Sequence, residues 1–249
     1  MNQQNTKLSP VTWQNDGLAL LNQHFQERPP ADLLRWAAQI FGDQAALGTG
    51  FGPSGVVLLH LASQIRPRPT FFYLDTALLF PETYQLRDEL ARRLNISFVP
   101  VQPALTLAAQ SRRYGNELWA TNPDQCCHLR KVEPLRRFLT GHSAWITGIR
   151  RDQSPTRART PLLEWNHTHQ VVKLNPLAYW TERMVWDHLR AYDLPYNRLH
   201  DQGYPSLGCV PCTRAIRPDE DVRAGRWAGH NKLECGIHFE NGRVVRGVK

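Results

Sequence analysis

The chain has 249 residues with 41% hydrophobic content, enough to bury a core without disulfide staples. Thirty Lys and Arg against 22 Asp and Glu leave a formal charge of +8, which suits a nucleic acid, an acidic partner or an anionic small substrate. No apolar run approaches the ~20 residues of a spanning helix, and five cysteines, odd in number and including a C-x-x-C, argue against an extracellular disulfide scaffold and for metal binding or catalysis in a reducing cytoplasm.

Residues 1–43 read as a polar N-terminal helical segment. Its longest apolar run, Leu18-Ala19-Leu20-Leu21, is too short for a signal-peptide core. Strand-like and helix-like segments then alternate. The apolar, partly aromatic runs 45–48, 70–74, 96–99 and 144–147 suit buried parallel strands, and 56–64 and 81–94 read as helices between them. In the second helix Pro81 and Glu82 fill the first turn, and Leu86, Leu90 and Leu94 form one apolar stripe among Arg87, Asp88, Arg92 and Arg93. A strand at 169–174 and a helix at 181–191 complete a doubly wound, mostly parallel α/β sheet. The stretch 195–208 is turn-rich. An α/β domain over 44–218 is thus expected, followed by a polar, glycine-punctuated mobile tail over 219–249.

The loop Thr49-Gly50-Phe51-Gly52-Pro53-Ser54-Gly55 follows the first strand and opens a helix. Its glycines let backbone amides approach an anion, and the helix N-terminus adds free N–H groups, so the position suits a phosphate or the ribose side of a nucleotide. It lacks both the lysine of a Walker loop and G-x-G-x-x-G spacing. A turn built only for tight packing is the competing reading.

The thiols divide into two pairs, Cys126-Cys127 and Cys209-Val210-Pro211-Cys212, and an isolated Cys235 beside His238. Four ligands and one nucleophile is the arithmetic that fits soft-metal chemistry. Vicinal thiolates point along divergent bonds and reach one tetrahedral zinc only with strain, whereas a cubane offers separate iron corners. A 4Fe-4S cluster on Cys126, Cys127, Cys209 and Cys212 is therefore expected, with zinc or buried free thiols as alternatives. The cations gather in short groups: Arg130-Lys131, Arg136-Arg137, Arg150-Arg151, Arg157 with Arg159, and Arg223 with Arg226. Groups beside the cysteine motifs are the candidates for neutralising a substrate.

A family resemblance rests on these residues and runs from about Ala45 to His238. Leu74-Asp75-Thr76 followed by Phe80-Pro81-Glu82-Thr83-Tyr84, the run from Cys126 to Leu135, Gly148-Ile149-Arg150-Arg151-Asp152-Gln153-Ser154 with Thr156-Arg157, Cys209 to Cys212, and Glu234 to His238 occur in family order. The chain resembles the assimilatory adenosine 5′-phosphosulfate reductases, thioredoxin-dependent relatives of the phosphoadenosine phosphosulfate reductases.

The resemblance implies a fold of the adenine-nucleotide α-hydrolase type, related to the ATP pyrophosphatases. The aspartate with which those relatives' loop holds β and γ phosphates is missing here, which suits a nucleotide without them. It further implies nucleotide contacts from Thr49, Phe51, Gly52, Ser54, Leu74, Asp75 and Arg150, although Asp75 also reads as a strand-end cap. Lys131, Arg223, Arg226 and His238 match positions around the phosphosulfate, with Cys235 and His238 as the catalytic residues that the resemblance implies. Cys235 would attack the sulfate sulfur to give an S-sulfonate and AMP, and thioredoxin or a glutaredoxin would release sulfite. The cluster is expected to act by position and charge, fixing Lys131 and Arg130 near the sulfate. A phosphoadenosine phosphosulfate or dual-substrate enzyme is the runner-up. A sulfur-inserting tRNA-modifying relative lacks support from the loop, and a zinc or nucleic-acid module leaves Cys235 to His238 unexplained. No nucleic acid or membrane partner is expected, and homo-oligomerisation is left open.

Overall fold

The computed structural model describes residues 16–230, 232 and 234–238. Of the expected N-terminal and C-terminal segments, residues 1–15 and 239–249 thus lie outside the described residues. Helices α1 (Asp16–Phe25) and α2 (Pro30–Phe41) precede β1 (Ala45–Gly48), α3 (Pro53–Ser63), β2 (Thr70–Leu74), α4 (Pro81–Leu94) and β3 (Val99–Val101). Next come α5 (Leu107–Tyr114), α6 (Leu118–Thr121), α7 (Pro123–Cys127), a π-helical turn (His128–Val132), α8 (Glu133–Leu139) and β4 (Ala144–Ile146). The antiparallel pair β5 (Leu163–Asn166) and β6 (Val171–Leu174) and helix α9 (Glu182–Ala191) follow.

The six strands are ordered β3-β2-β1-β4-β6-β5, and every pairing except β5 with β6 is parallel. Alternation of side chains sorts the core into two layers. Ala45, Leu47, Phe71, Tyr73, Ala144 and Ile146 meet the buried faces of α1, α2, α3, α4 and α9. Ala46, Phe72 and Trp145 face the other way, against Leu135 and Leu139 of α8 and Ile237 of the C-terminal segment. Strand order reverses at β1, whose neighbours β2 and β4 take the chain in opposite directions. The crevice beyond the carboxyl ends of β1 and β4 is where such sheets bind ligands.

Helix α4 spans the predicted 81–94, with Pro81 in its first turn and Leu86 and Leu90 buried. Helix α9 starts one residue late because Thr181 is its N-cap, accepting from Met184 N–H. Three expectations shift. Helix α3 begins at Pro53 rather than 56, since proline's fixed φ suits a first turn. The third strand is 99–101, not 96–99: Asn95 closes α4 in the left-handed region at φ 49°, so Ile96 and Phe98 pack on the core before the ladder begins. Pro100 is accommodated there because β3 is an edge strand. The fifth parallel strand starts at 171 because Gln170, at φ 55°, closes a turn by donating to Asn166 O at 2.8 Å.

Leu90 is fully buried, and truncating such a side chain costs about 2–5 kcal/mol. Urea unfolding of Leu90→Ala should show that loss, and a loss below about 1 kcal/mol would contradict the packing of α4 on the sheet.

Candidate active site

The loop after β1 is shaped by crowding. A Cβ at Gly48 would lie 2.8 Å from the Phe72 ring and 3.1 Å from Trp145 Nε1, so only glycine lets the strand end pass between them. Thr49 N–H donates to Phe72 O at 3.0 Å, and Thr49 Oγ1 accepts from Phe51 N–H at 2.9 Å. Phe51 turns through φ 59° and buries its ring against Tyr73 and Phe98, leaving its backbone at the cavity. Arg150, from the loop after β4, donates to Ser54 Oγ and to Asp152 Oδ1 at 2.9 Å. These two loops open on a cavity of about 380 Å³ that Thr49, Phe51, Gly52, Ser54, Leu74 and Arg150 line together with Lys131, Arg157, Arg223, Arg226, Glu234, Cys235 and His238.

Below one wall lie the other cysteines. Cys126 and Cys127 end α7, which Asn122 caps by accepting from Gln125 N–H at 3.0 Å. The π-turn then carries Lys131 before Pro134 restarts a regular helix as α8. Cys209 and Cys212 share one 3₁₀ turn, with Cys212 N–H on Cys209 O at 3.0 Å. Thr76 Oγ1 is 3.4 Å from Cys209 Sγ. Burial first, and then neighbouring thiols, push Cys126 and Cys212 up to about 11. Cys127 is pushed up to about 11 by burial against the opposing charge of Lys131, with Cys235 and Cys209 also close enough to contribute. The two pairs and Cys235 therefore converge. Among the described residues, no group of three or more His, Cys, Asp or Glu surrounds a single-ion position.

The cations are held by a C-terminal segment seated across the cavity. Thr213 and Arg226 form a β-bridge, Trp227 N–H donates to Cys212 O at 3.1 Å, and Lys232 pairs with Asp124 of α7. Arg226 donates to Leu207 O at 2.8 Å and Ser206 Oγ at 3.3 Å, and a side chain at Gly208 would collide with its guanidinium. Arg157 makes a two-pronged pair with Glu234. Burial works against the charge of Lys131, yet Cys209, Cys235 and Cys127 hold its pKa above the ordinary lysine value. His238 stacks on Trp145, centroids 5.2 Å apart and planes 6° apart. Burial, reinforced by Lys173 and Arg157, holds it well below the ordinary histidine value, so it is neutral at neutral pH.

Two residues expected at the substrate do not line the cavity. Asp75 is absent from the cavity lining. Its carboxylate accepts from Ala77 N–H at 3.2 Å, Tyr84 OH at 2.7 Å and Gln102 Nε2 at 3.3 Å, which makes it the strand-end cap. Arg130 also misses the cavity, because its guanidinium is spent on Thr76 O at 2.6 Å and Gln110 Oε1 at 2.9 Å. Of the other cation groups, Arg137 pairs with Glu133 and Arg151 stacks on Tyr179. Trp145, Trp227 and Lys232 were given no site role from sequence, and Glu234 entered only as part of the run from Glu234 to His238. Only Glu234 carried a signal, its place beside Cys235.

Because His238 binds a proton less readily folded than unfolded, stability should rise with pH between its lowered folded value and about 6.5, and be flat above. The stability difference between wild type and His238→Asn should therefore move against the wild type as pH falls below about 6.5. A difference that moves in its favour would show that the histidine is charged in the folded protein.

Known proteins resemble this chain in sequence and in fold. The phosphoadenosine phosphosulfate reductase domain matches residues 44–215. An adenosine 5′-phosphosulfate reductase of Salinibacter ruber is 53% identical over 231 residues, 92% of this chain and 92% of the relative. The crystal structure of a phosphoadenylyl-sulfate reductase from Candida auris, a phosphate complex, superposes with a TM-score of 0.70 at 30% identity over 78% of this chain and 94% of that one. An FMN adenylyltransferase of Candida glabrata shares the fold at a TM-score of 0.57 and 15% identity, over 91% and 80% of the two chains. With a family model that spans residues 44–215, a relative 53% identical over 92% of the chain and a shared fold, the chain belongs to the phosphoadenosine phosphosulfate reductase family.

Proposed function

We propose that the chain reduces adenosine 5′-phosphosulfate to sulfite and AMP in the cytoplasm, with Cys235 as nucleophile and thioredoxin or a glutaredoxin as reductant. The observation that carries the reading is the convergence of Cys235 with Lys131, Arg223 and Arg226 on a cavity that opens at the loop after β1. Cations around the Cys235 thiol would neutralise the phosphosulfate that it must approach. The Cys235 thiolate attacks the sulfate sulfur, the S–O bond to phosphate breaks, and AMP departs with the electron pair. A reductant thiolate then strikes Cys235 Sγ, sulfite leaves with the bonding pair, and the reductant's second thiol resolves the mixed disulfide. The dithiol supplies both electrons. For that second attack the reductant must reach Cys235 Sγ, and Cys235 is only half-buried.

Cys126, Cys127, Cys209 and Cys212 would hold a 4Fe-4S cluster. Their fit lies in three buried thiols and a half-buried one, and the raised values of Cys126, Cys127 and Cys212 call for a bound cation if they are to be thiolates. When bound, the cluster supplies charge and rigidity beside Lys131 rather than electrons. His238, neutral and stacked, serves by packing and hydrogen bonding to substrate or thiol, not as a cationic acid.

The unphosphorylated nucleotide is favoured because Lys131, Arg223 and Arg226 would serve the phosphosulfate end, and among the described residues that line the cavity no second group of cations can be assigned to a 3′-phosphate. The Candida auris likeness keeps phosphoadenosine phosphosulfate as the second reading. Turnover of each nucleotide with reduced thioredoxin separates them: adenosine 5′-phosphosulfate should give the higher kcat/KM, and equal or better use of the phosphorylated nucleotide would favour the runner-up. Cys235→Ser should abolish sulfite release while the protein, purified anaerobically, keeps roughly four iron per chain. Sulfite release by that variant, or stoichiometric zinc in a colourless active wild type, would contradict the assignment.

A further inference from the structure

Glu234 directly precedes Cys235 and is itself buried. Arg157 grips its carboxylate with two parallel bonds, Nε to Oε1 at 2.9 Å and a terminal nitrogen to Oε2 at 2.8 Å. The two side chains are only 16% and 10% exposed, so water screens the pair little, and the fork geometry fixes orientation as well as distance. Arg157 is braced in turn. Its other terminal nitrogen donates to Gln153 Oε1 at 2.6 Å, and the same oxygen accepts Arg150 N–H at 3.1 Å. A continuous chain of bonds therefore runs from the loop after β4 to the residue before the thiol.

A carboxylate on the wall of a cavity that receives an anion repels what it must admit. Its placement needs a compensating use, and the bonds identify one. We propose that Glu234 is a positioning residue: locked on Arg157, it sets the depth and rotation of the C-terminal segment so that Cys235 stands at the cationic wall. The proposal rests on the reading of Cys235 as the nucleophile. It assigns Arg157 to holding the protein's own chain, and it makes the 150–157 loop part of the nucleophile's seat. Burial opposes ionisation of Glu234, but Arg157 and Arg223 outweigh it and keep its pKa below the ordinary value, so the lock is closed throughout the neutral range.

The test uses the anaerobically purified full chain as wild type, Glu234→Gln, Arg157→Gln and the double variant. Amide exchange in the peptide holding 234–238 should speed up roughly tenfold in each variant, while exchange in α4 stays at the wild-type rate. With adenosine 5′-phosphosulfate and reduced thioredoxin, kcat should fall about 10- to 100-fold with KM nearly unchanged, the size expected for a misplaced reacting group. Because the two residues act as one unit, the double variant should be no worse than the worse single one. Unchanged exchange at 234–238, an unchanged kcat, or a loss confined to KM would each overturn the proposal. A wild type silent on both nucleotides would instead sink the functional reading, and the exchange ratio would still decide the lock.

Discussion

Half-buried positive charge is the constraint to which the rest of the site answers. Lys131, Arg157, Arg223 and Arg226 face one cavity, and each has lost hydration that only nearby anions or lone pairs can replace. Three devices supply them. Glu234 takes Arg157 and lies 3.6 Å from Arg223, Ser206 and Leu207 O take Arg226, and the thiols of Cys209, Cys235 and Cys127 support the charge of Lys131. An anion entering this cavity meets cations already in place, the condition under which electrostatic stabilisation is strongest.

Fold and charge are linked through the sheet. Reversal of strand order at β1 leaves a crevice between the loops after β1 and β4, and Arg150 ties those loops together through Ser54. Neither loop brings the thiol. The π-turn after Cys127 presents Lys131 from one side, and the C-terminal segment crosses from the other, pinned by Trp227 on Cys212, Lys232 on Asp124 and Glu234 on Arg157. The cysteine pairs thus adjoin both Lys131 and the segment that carries Cys235.

Much of this was legible in sequence, for reasons particular to each element. Helix α4 declared itself through an uninterrupted leucine stripe and a proline at its start. Strand β5, Leu-Glu-Trp-Asn, is too short for its alternation to stand out, and its antiparallel pairing with β6 is a tertiary fact. The third strand was misplaced because apolar Ile96 and Phe98 report burial, which begins before the ladder does. In the site, cysteines were legible because few chemistries use them in such pairs. Asp75 was not, since a strand-end carboxylate serves a ligand or its own turn equally well until Tyr84 and Gln102 are seen to occupy it. The Arg157–Glu234 pair spans 77 positions, beyond any local pattern, and Arg130 turned inward for partners that sequence does not reveal.

The central claim is that one thiol is set apart from the other four to react at the cationic wall. The most direct measurement is to mix the protein with adenosine 5′-phosphosulfate, without reductant, and to locate the product by intact and peptide mass. The account predicts a single sulfonate on the peptide containing Cys235 and one equivalent of AMP released. A sulfonate on Cys212 or any other cysteine, or AMP released with no covalent adduct, would contradict it.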